Sequence, residues 1–171
     1  MSFWFYSNTT TGTYQFPFNS NPEANWRLWF NSGDALYFDP GLHQDILEST
    51  TISQDTWYSM VVTAQNSGGN TNYLVYLDGS EVESGTVSGN IASVSYLQFG
   101  NEVWAFSGRI ANVQPYSSAL SPTQVSTLYG KGMEGSPVTS ALGWWPLDGN
   151  ANDMSGGGNN GVATGVTYGA P

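Results

Sequence analysis

The chain of 171 residues has no cysteine and only three cationic side chains, Arg27, Arg109 and Lys131. Without thiols there is neither a disulfide framework nor a thiolate metal site. Three scattered cations cannot line a phosphate-tracking groove, so nucleic acid is excluded as a partner, as is an anionic membrane surface. Against them stand 13 acids, giving a net charge of -10. Charged residues make up 9% of the chain, where an average soluble protein has roughly a quarter. No apolar run approaches the ~18 residues of a membrane-spanning helix. The start, Met1-Ser2-Phe3-Trp4, has neither a basic segment nor a long apolar core, so no secretory signal is visible.

What is abundant is aromatic surface: 7 Trp, 10 Tyr and 8 Phe. That is too much apolar area for a disordered polyanion, and the length suits one domain with a sizeable core. Scarce Lys, with plentiful Gly, Ser, Thr, Asn and Tyr, points to an extracellular protein or one at a virion or cell surface.

Period-two patterns dominate. In Trp26-Arg27-Leu28-Trp29-Phe30, one face carries Trp26, Leu28 and Phe30, the other Arg27 and Trp29. Tyr58, Met60, Val62 and Ala64 alternate with Trp57, Ser59, Val61 and Thr63. Tyr73–Leu77 is apolar on both faces and reads as a central strand. Further strands are expected at Phe3–Tyr6, Leu36–Phe38, Leu97–Phe99 and Ile110–Tyr116. Asp78-Gly79 predicts a type I′ hairpin, and Gly68-Gly69-Asn70 marks another turn. Ser121-Pro122-Thr123-Gln124 is a capping box with Pro at the first helical position. Leu120 and Val125 fit the accompanying staple, and Gly130 reads as the stop of a helix near 121–129. The expected fold class is therefore all-β, a β-sandwich (a jelly roll on the resemblance given next) with one short helix: a body over 1–130, a Gly/Ser/Pro linker over 131–140 and a strand-forming tail over 141–171.

Several blocks resemble the laminin-G-like jelly roll of the concanavalin A-like lectin/glucanase superfamily. Trp57-Tyr58-Ser59-Met60-Val61-Val62-Thr63 with Tyr73-Leu74-Val75-Tyr76-Leu77-Asp78-Gly79 is similar to a hairpin of that family. Leu97-Gln98-Phe99-Gly100 with Phe106-Ser107-Gly108-Arg109-Ile110-Ala111-Asn112-Val113 is similar to a later strand pair. Gly143-Trp144-Trp145-Pro146-Leu147-Asp148-Gly149 resembles the strand that opens such a domain, yet here it lies near the C-terminus. The order is permuted, and the tail must complete its own sandwich or a neighbour's. The flexible linker favours exchange, which would join copies head-to-tail into a fibre. Trp144, Trp145, Leu147, Val162, Val166 and Tyr168 are the candidate assembly residues.

The resemblance also implies sites. Related glucanases would carry a Glu-x-Asp-x-x-Glu strand, which this chain lacks. Glu81 and Glu83 would share a face if extended but read as solvated, and His43 reads as an exposed loop residue, so no catalytic residue is assigned. Sugar stacking falls to Trp29, Trp104 and Tyr14 as weak glycan-binding candidates. No cofactor is required. Calcium is the candidate cation, with Asp148, Asn150 and Asp153 as its oxygen ligands, although Ala111-Asn112 stands where the family has Asp-Asp. Turn building is the competing role for those tail residues. Asp34, Asp39 and Asp55 are weaker loop acids. Asn8-Thr9-Thr10 is a glycosylation sequon. The expected function is a non-catalytic structural and adhesive module that assembles with copies of itself. The alternative is a lectin-like carbohydrate-binding domain of a larger adhesin or phage fibre.

Overall fold

The computed structural model describes residues 1–8, 14–20, 26–31, 35–40, 47–91, 94–100 and 105–169. His43 and Trp104 lie outside the described residues. The strands are β1 (Ser2–Ser7), β2 (Gln15–Ser20), β3 (Trp26–Phe30), β4 (Ala35–Pro40), β5 (Leu47–Thr51), β6 (Trp57–Ser67), β7 (Asn70–Leu77), β8 (Ser80–Ser88), β9 (Leu97–Phe99) and β10 (Gly108–Gln114). They form two five-stranded sheets, ordered β10-β1-β6-β7-β8 and β5-β4-β3-β2-β9, and the pairings are antiparallel. This is a two-sheet antiparallel β-sandwich with one short helix, the all-β class the alternation predicts.

The alternation decides which residues fill the space between the sheets. Phe3, Phe5, Met60, Val62 and Val75 come from the first sheet, and Phe18, Leu28, Phe30, Leu36 and Phe38 from the second. Rings meet across the interface: Phe3 lies 6.3 Å from Phe18 and Phe5 lies 5.8 Å from Phe30. Apolar surface buried in this layer stabilises the fold by ~25 cal/mol per Å².

A second layer covers the outer face of the first sheet. Helix α1 (Pro122–Gly130) starts on the expected capping box, with the Gln124 N–H donating to Ser121 Oγ and the Ser121 N–H to Gln124 Oε1. Leu120, Val125 and Leu128 pack on Val61 and Tyr76, which explains why β6 and β7 are apolar on both faces. Gly130 is not the stop. The helix closes one residue later on Lys131, and the left-handed conformation falls on Gly132, φ 74°. The Asp78-Gly79 turn has φ 50° and 76°, the left-handed pair a type I′ turn requires. A side chain at Gly79 would also come within 2.9 Å of the Tyr129 ring.

The tail lies against its own domain. Val113 and Trp145 exchange backbone hydrogen bonds of 2.8 and 2.9 Å, the Asn112 N–H donates to Pro146 O, and the Leu142 N–H donates to Pro115 O. These contacts extend the outer edge of β10 by two isolated bridges. Trp145 and Leu147 pack on the inter-sheet core. Trp144, pointing the other way as neighbours in an extended chain must, donates its Nε1–H to Asn112 Oδ1 at 2.8 Å. Both rings thus have places within one chain. The 131–140 segment is tied in as well, because Asn112 Nδ2 and Gln114 Nε2 both donate to Gly135 O.

Residues 162–168, expected as a strand, are irregular and exposed, Val162 by 94%. Gly156, Gly158 and Gly165 all have positive φ, which breaks an extended run, and segment 141–145 already occupies the β10 edge.

Candidate functional site

Pairing β2, β3, β4 and β9 determines what the second sheet shows to solvent. Trp29 pairs with Tyr37 and Arg27 with Asp39, while Asn19 pairs with both Arg27 and Gln98. Because side chains alternate, the residues facing away from the core form two rows across the strands. One row is aromatic: Trp29 stacks on Tyr37 with centroids 4.2 Å apart and planes 13° apart. Phe16 lies 6.3 Å from Trp29, nearly parallel at 18°, and Tyr14 lies 5.5 Å away, tilted by 49°. The other row, two residues along and so about 7 Å away, is polar: Gln98, Asn19, Arg27 and Asp39.

The polar row is built around a buried charge. Asp39 has no exposed surface, and its Oδ2 accepts from Arg27 Nη2 at 3.0 Å, while the Arg27 side chain is 38% exposed. Asn19 Oδ1 and Arg27 Nε, on paired residues, are sealed from water without hydrogen-bond partners. Such orphan groups are uncommon in folded proteins. In the aromatic row, Asn31 Nδ2 donates to the Tyr37 hydroxyl at 3.1 Å. Asp39, read in sequence as a loop acid, is thus a strand residue in a half-buried ion pair.

Trp29 and Tyr14, both expected as sugar-stacking residues, come together on this face, but their roles differ. Trp29 has Tyr37 on one side and Phe16 towards the other, so it builds the row, and the accessible ring is Tyr14, 52% exposed. Sequence reasoning missed Phe16, Tyr37, Arg27, Asp39 and Asn19. The alternation Leu36-Tyr37-Phe38-Asp39 carried the signal for two of them, once β3 and β4 are placed side by side.

The tail acids do not suit a cation. Asp153 Oδ1 accepts from the N–H groups of Trp144 and Ser155, and Oδ2 from that of Asn159. Asn150 Oδ1 accepts from the Asn152 N–H, and Asp148 is exposed. A ring of N–H donors is the wrong lining for calcium, which takes oxygen ligands. Among the described residues, no group of three His, Asp or Glu could hold a metal ion. Desolvation pushes the Asp153 carboxyl upward, but the hydrogen bonds from Ser155, Trp144 and Asn159 outweigh it and hold the group well below the usual carboxylate range. The loop is a turn organised by Asp153, which also fixes Asn159 so that its carbonyl accepts from Trp145 Nε1–H.

Glu81 and Glu83 do not share a face. A bulge places Glu81 opposite Tyr76 and Glu83 opposite Val75, so Val82 is the extra residue and the two acids diverge. Asn8 is exposed, and Thr9 and Thr10 of its sequon lie outside the described residues. No described helix is long and apolar enough to cross a membrane.

Comparison with solved structures gives fold-level likenesses. A Bacteroides ovatus protein, provisionally assigned as carbohydrate-binding, superposes with TM-score 0.69 at 16% identity, covering 97% of this chain and 52% of its own. The receptor-binding domain of botulinum neurotoxin type G gives TM-score 0.52 at 18% identity, over 75% of this chain and 36% of its own. A heptameric SAP-like pentraxin from Limulus polyphemus gives 0.51 at 19%, over 75% and 67%. The chain therefore spans about half the length of the first of these. Comparison with curated proteins gave no match. The family model that matches, Laminin_G_3, covers residues 1–126 and leaves the displaced tail outside it. With that match and both sheets in place, the chain belongs to the concanavalin A-like lectin/glucanase superfamily.

Proposed function

We propose that the chain is a non-catalytic carbohydrate-binding module whose contact surface is the outward face of β2, β3, β4 and β9. The observation that carries this reading is the pair of adjacent rows. An aromatic row offers apolar surface to sugar C–H groups. A polar row about 7 Å away offers donors and acceptors to hydroxyls. Binding sites combine apolar area with a few placed polar groups in this way. Tyr14 supplies the accessible ring, Trp29 and Tyr37 hold the platform, and Gln98 and the exposed part of Arg27 address hydroxyls. The Bacteroides ovatus likeness supports the same class. Composition supports a setting outside the cell or on a virion or cell surface. The test is a glycan array read with wild type and Trp29→Ala. Binding by wild type that the variant loses is expected, and no binding to any glycan refutes the reading.

The head-to-tail fibre keeps one specific support: Leu142, Val162 and Val166 stay exposed on the tail. Sedimentation showing a monomer over a wide concentration range would end that reading.

A further inference from the structure

Resting on the carbohydrate reading, we infer that the ligand of this face is a linear glycan several units long that runs along the strands, with Tyr96 as the contact at its far end. The pairing register sets the order of contacts. Gln15 pairs with Phe30 and Asn19 with Arg27, while Asn19 also pairs with Gln98. Along the strand direction the outward side chains therefore fall in successive levels: Tyr14, then Trp29 with Tyr37, then Arg27 with Gln98. Ser20 pairs with Leu97, so Tyr96 comes one level further on. It shares the outward face with Gln98, because neighbouring residues of a strand alternate. Tyr14 and Tyr96 are 52% and 49% exposed, and they bracket the face about 20 Å apart along the strands. A lone exposed tyrosine needs no explanation. Two at opposite ends of one face, with a polar row between them, define a track.

The rings in the middle of the track show their edges. Trp29 and Tyr37 stack 4.2 Å apart with planes 13° apart, and they come from neighbouring strands. Such strands lie about 4.8 Å apart, so rings that stack across the gap stand upright and turn their faces to each other. A sugar C–H group docks on the electron-rich face of a ring rather than on its positive edge. Tyr14, tilted by 49° from Trp29, turns out of that file. Stacking surface thus sits at the two ends, with the exposed Gln98 and the partly exposed Arg27 between them. A single sugar on Tyr14 stops short of the polar row, about 14 Å away, whereas a chain of several units reaches both that row and Tyr96.

The experiment measures affinity for a ladder of one glycan that binds on the array, from monosaccharide to hexasaccharide, with wild type, Tyr96→Ala and Tyr96→Phe. Affinity is expected to rise at least about tenfold along the ladder and then level off. Tyr96→Ala should weaken the hexasaccharide at least about fivefold and the disaccharide less than about twofold, and Tyr96→Phe, which keeps the ring, should match wild type. Retained disaccharide binding shows that the variant is folded. A monosaccharide bound as tightly as the hexasaccharide overturns the inference and leaves the carbohydrate reading intact. So does a Tyr96→Ala variant that binds the hexasaccharide as wild type does, or that loses both lengths equally. Binding to no glycan overturns both.

Discussion

Replacing Trp145 with alanine asks whether the tail belongs to its own sandwich. The variant keeps the backbone exchange with Val113, because those hydrogen bonds involve no side chain. It removes the ring that folds over Gly143 and packs on the inter-sheet core, together with the Nε1–H bond to Asn159 O. A fully buried Trp→Ala change costs about 3–5 kcal/mol. Trp145 is half-buried and its hydrogen bond is exposed, so the loss should be about 2 kcal/mol. For a domain of this size that lowers Tm by roughly 4–8 °C. Thermal and denaturant unfolding measure it, and both should be independent of protein concentration from ~1 to ~100 µM, since an intramolecular contact carries no mass-action term. A loss below ~0.5 kcal/mol, the size of an ordinary surface substitution, would mean that the tail is not docked. A Tm that climbs with concentration would mean that it docks on another copy.

Arg27→Gln removes a cationic partner of a wholly buried carboxylate. Breaking a fully buried pair costs about 3–5 kcal/mol, and because Arg27 is partly exposed we expect about 2–3 in denaturant unfolding, with Arg27→Gln/Asp39→Asn recovering part of it. Asp153, held below the usual carboxylate range, stabilises the tail loop fully above its unfolded pKa of ~3.9 and loses that contribution as pH falls further. Hydrogen-exchange protection over 141–160, taken relative to the intrinsic rate at each pH, should be flat from about pH 5 to 8 and fall in stronger acid, and Asp153→Ala should show low protection throughout. Burial raises the Tyr116 phenol to about 12, so its contribution is present below its unfolded pKa of ~10 and falls as pH rises from there towards about 12. Tyr116→Phe should remove that alkaline component of the unfolding profile.

The sandwich was legible because the alternation in Trp26–Phe30 and Tyr58–Ala64 is set by the pleat itself, and Asp78-Gly79 and Ser121–Gln124 are local backbone chemistry. Strand neighbours were not legible. Trp29 and Tyr37, or Arg27 and Asp39, meet only when β3 lies beside β4 in one register, a long-range fact that no short motif encodes. Glu81 and Glu83 misled for the same reason, since a bulge is invisible until the partner strand is known. The helix stop moved from Gly130 to Lys131, which takes the cap with an ordinary right-handed φ of -76° and leaves the left-handed φ to Gly132. The tail motif was readable as an opening strand, but its place on β10 depends on Asn112. That residue holds φ 51° and binds Trp144 and Gly135 together.

The most direct test is an NMR titration of the isotopically labelled chain with a glycan that binds on the array. Shifts concentrated on Tyr14, Asn19, Arg27, Trp29, Tyr37 and Gln98, with Arg109, Lys131 and the 141–160 loop unmoved, are the predicted result. Shifts centred on the first sheet or the tail, with the β2–β4 face silent, would contradict the assignment of this face as the contact surface.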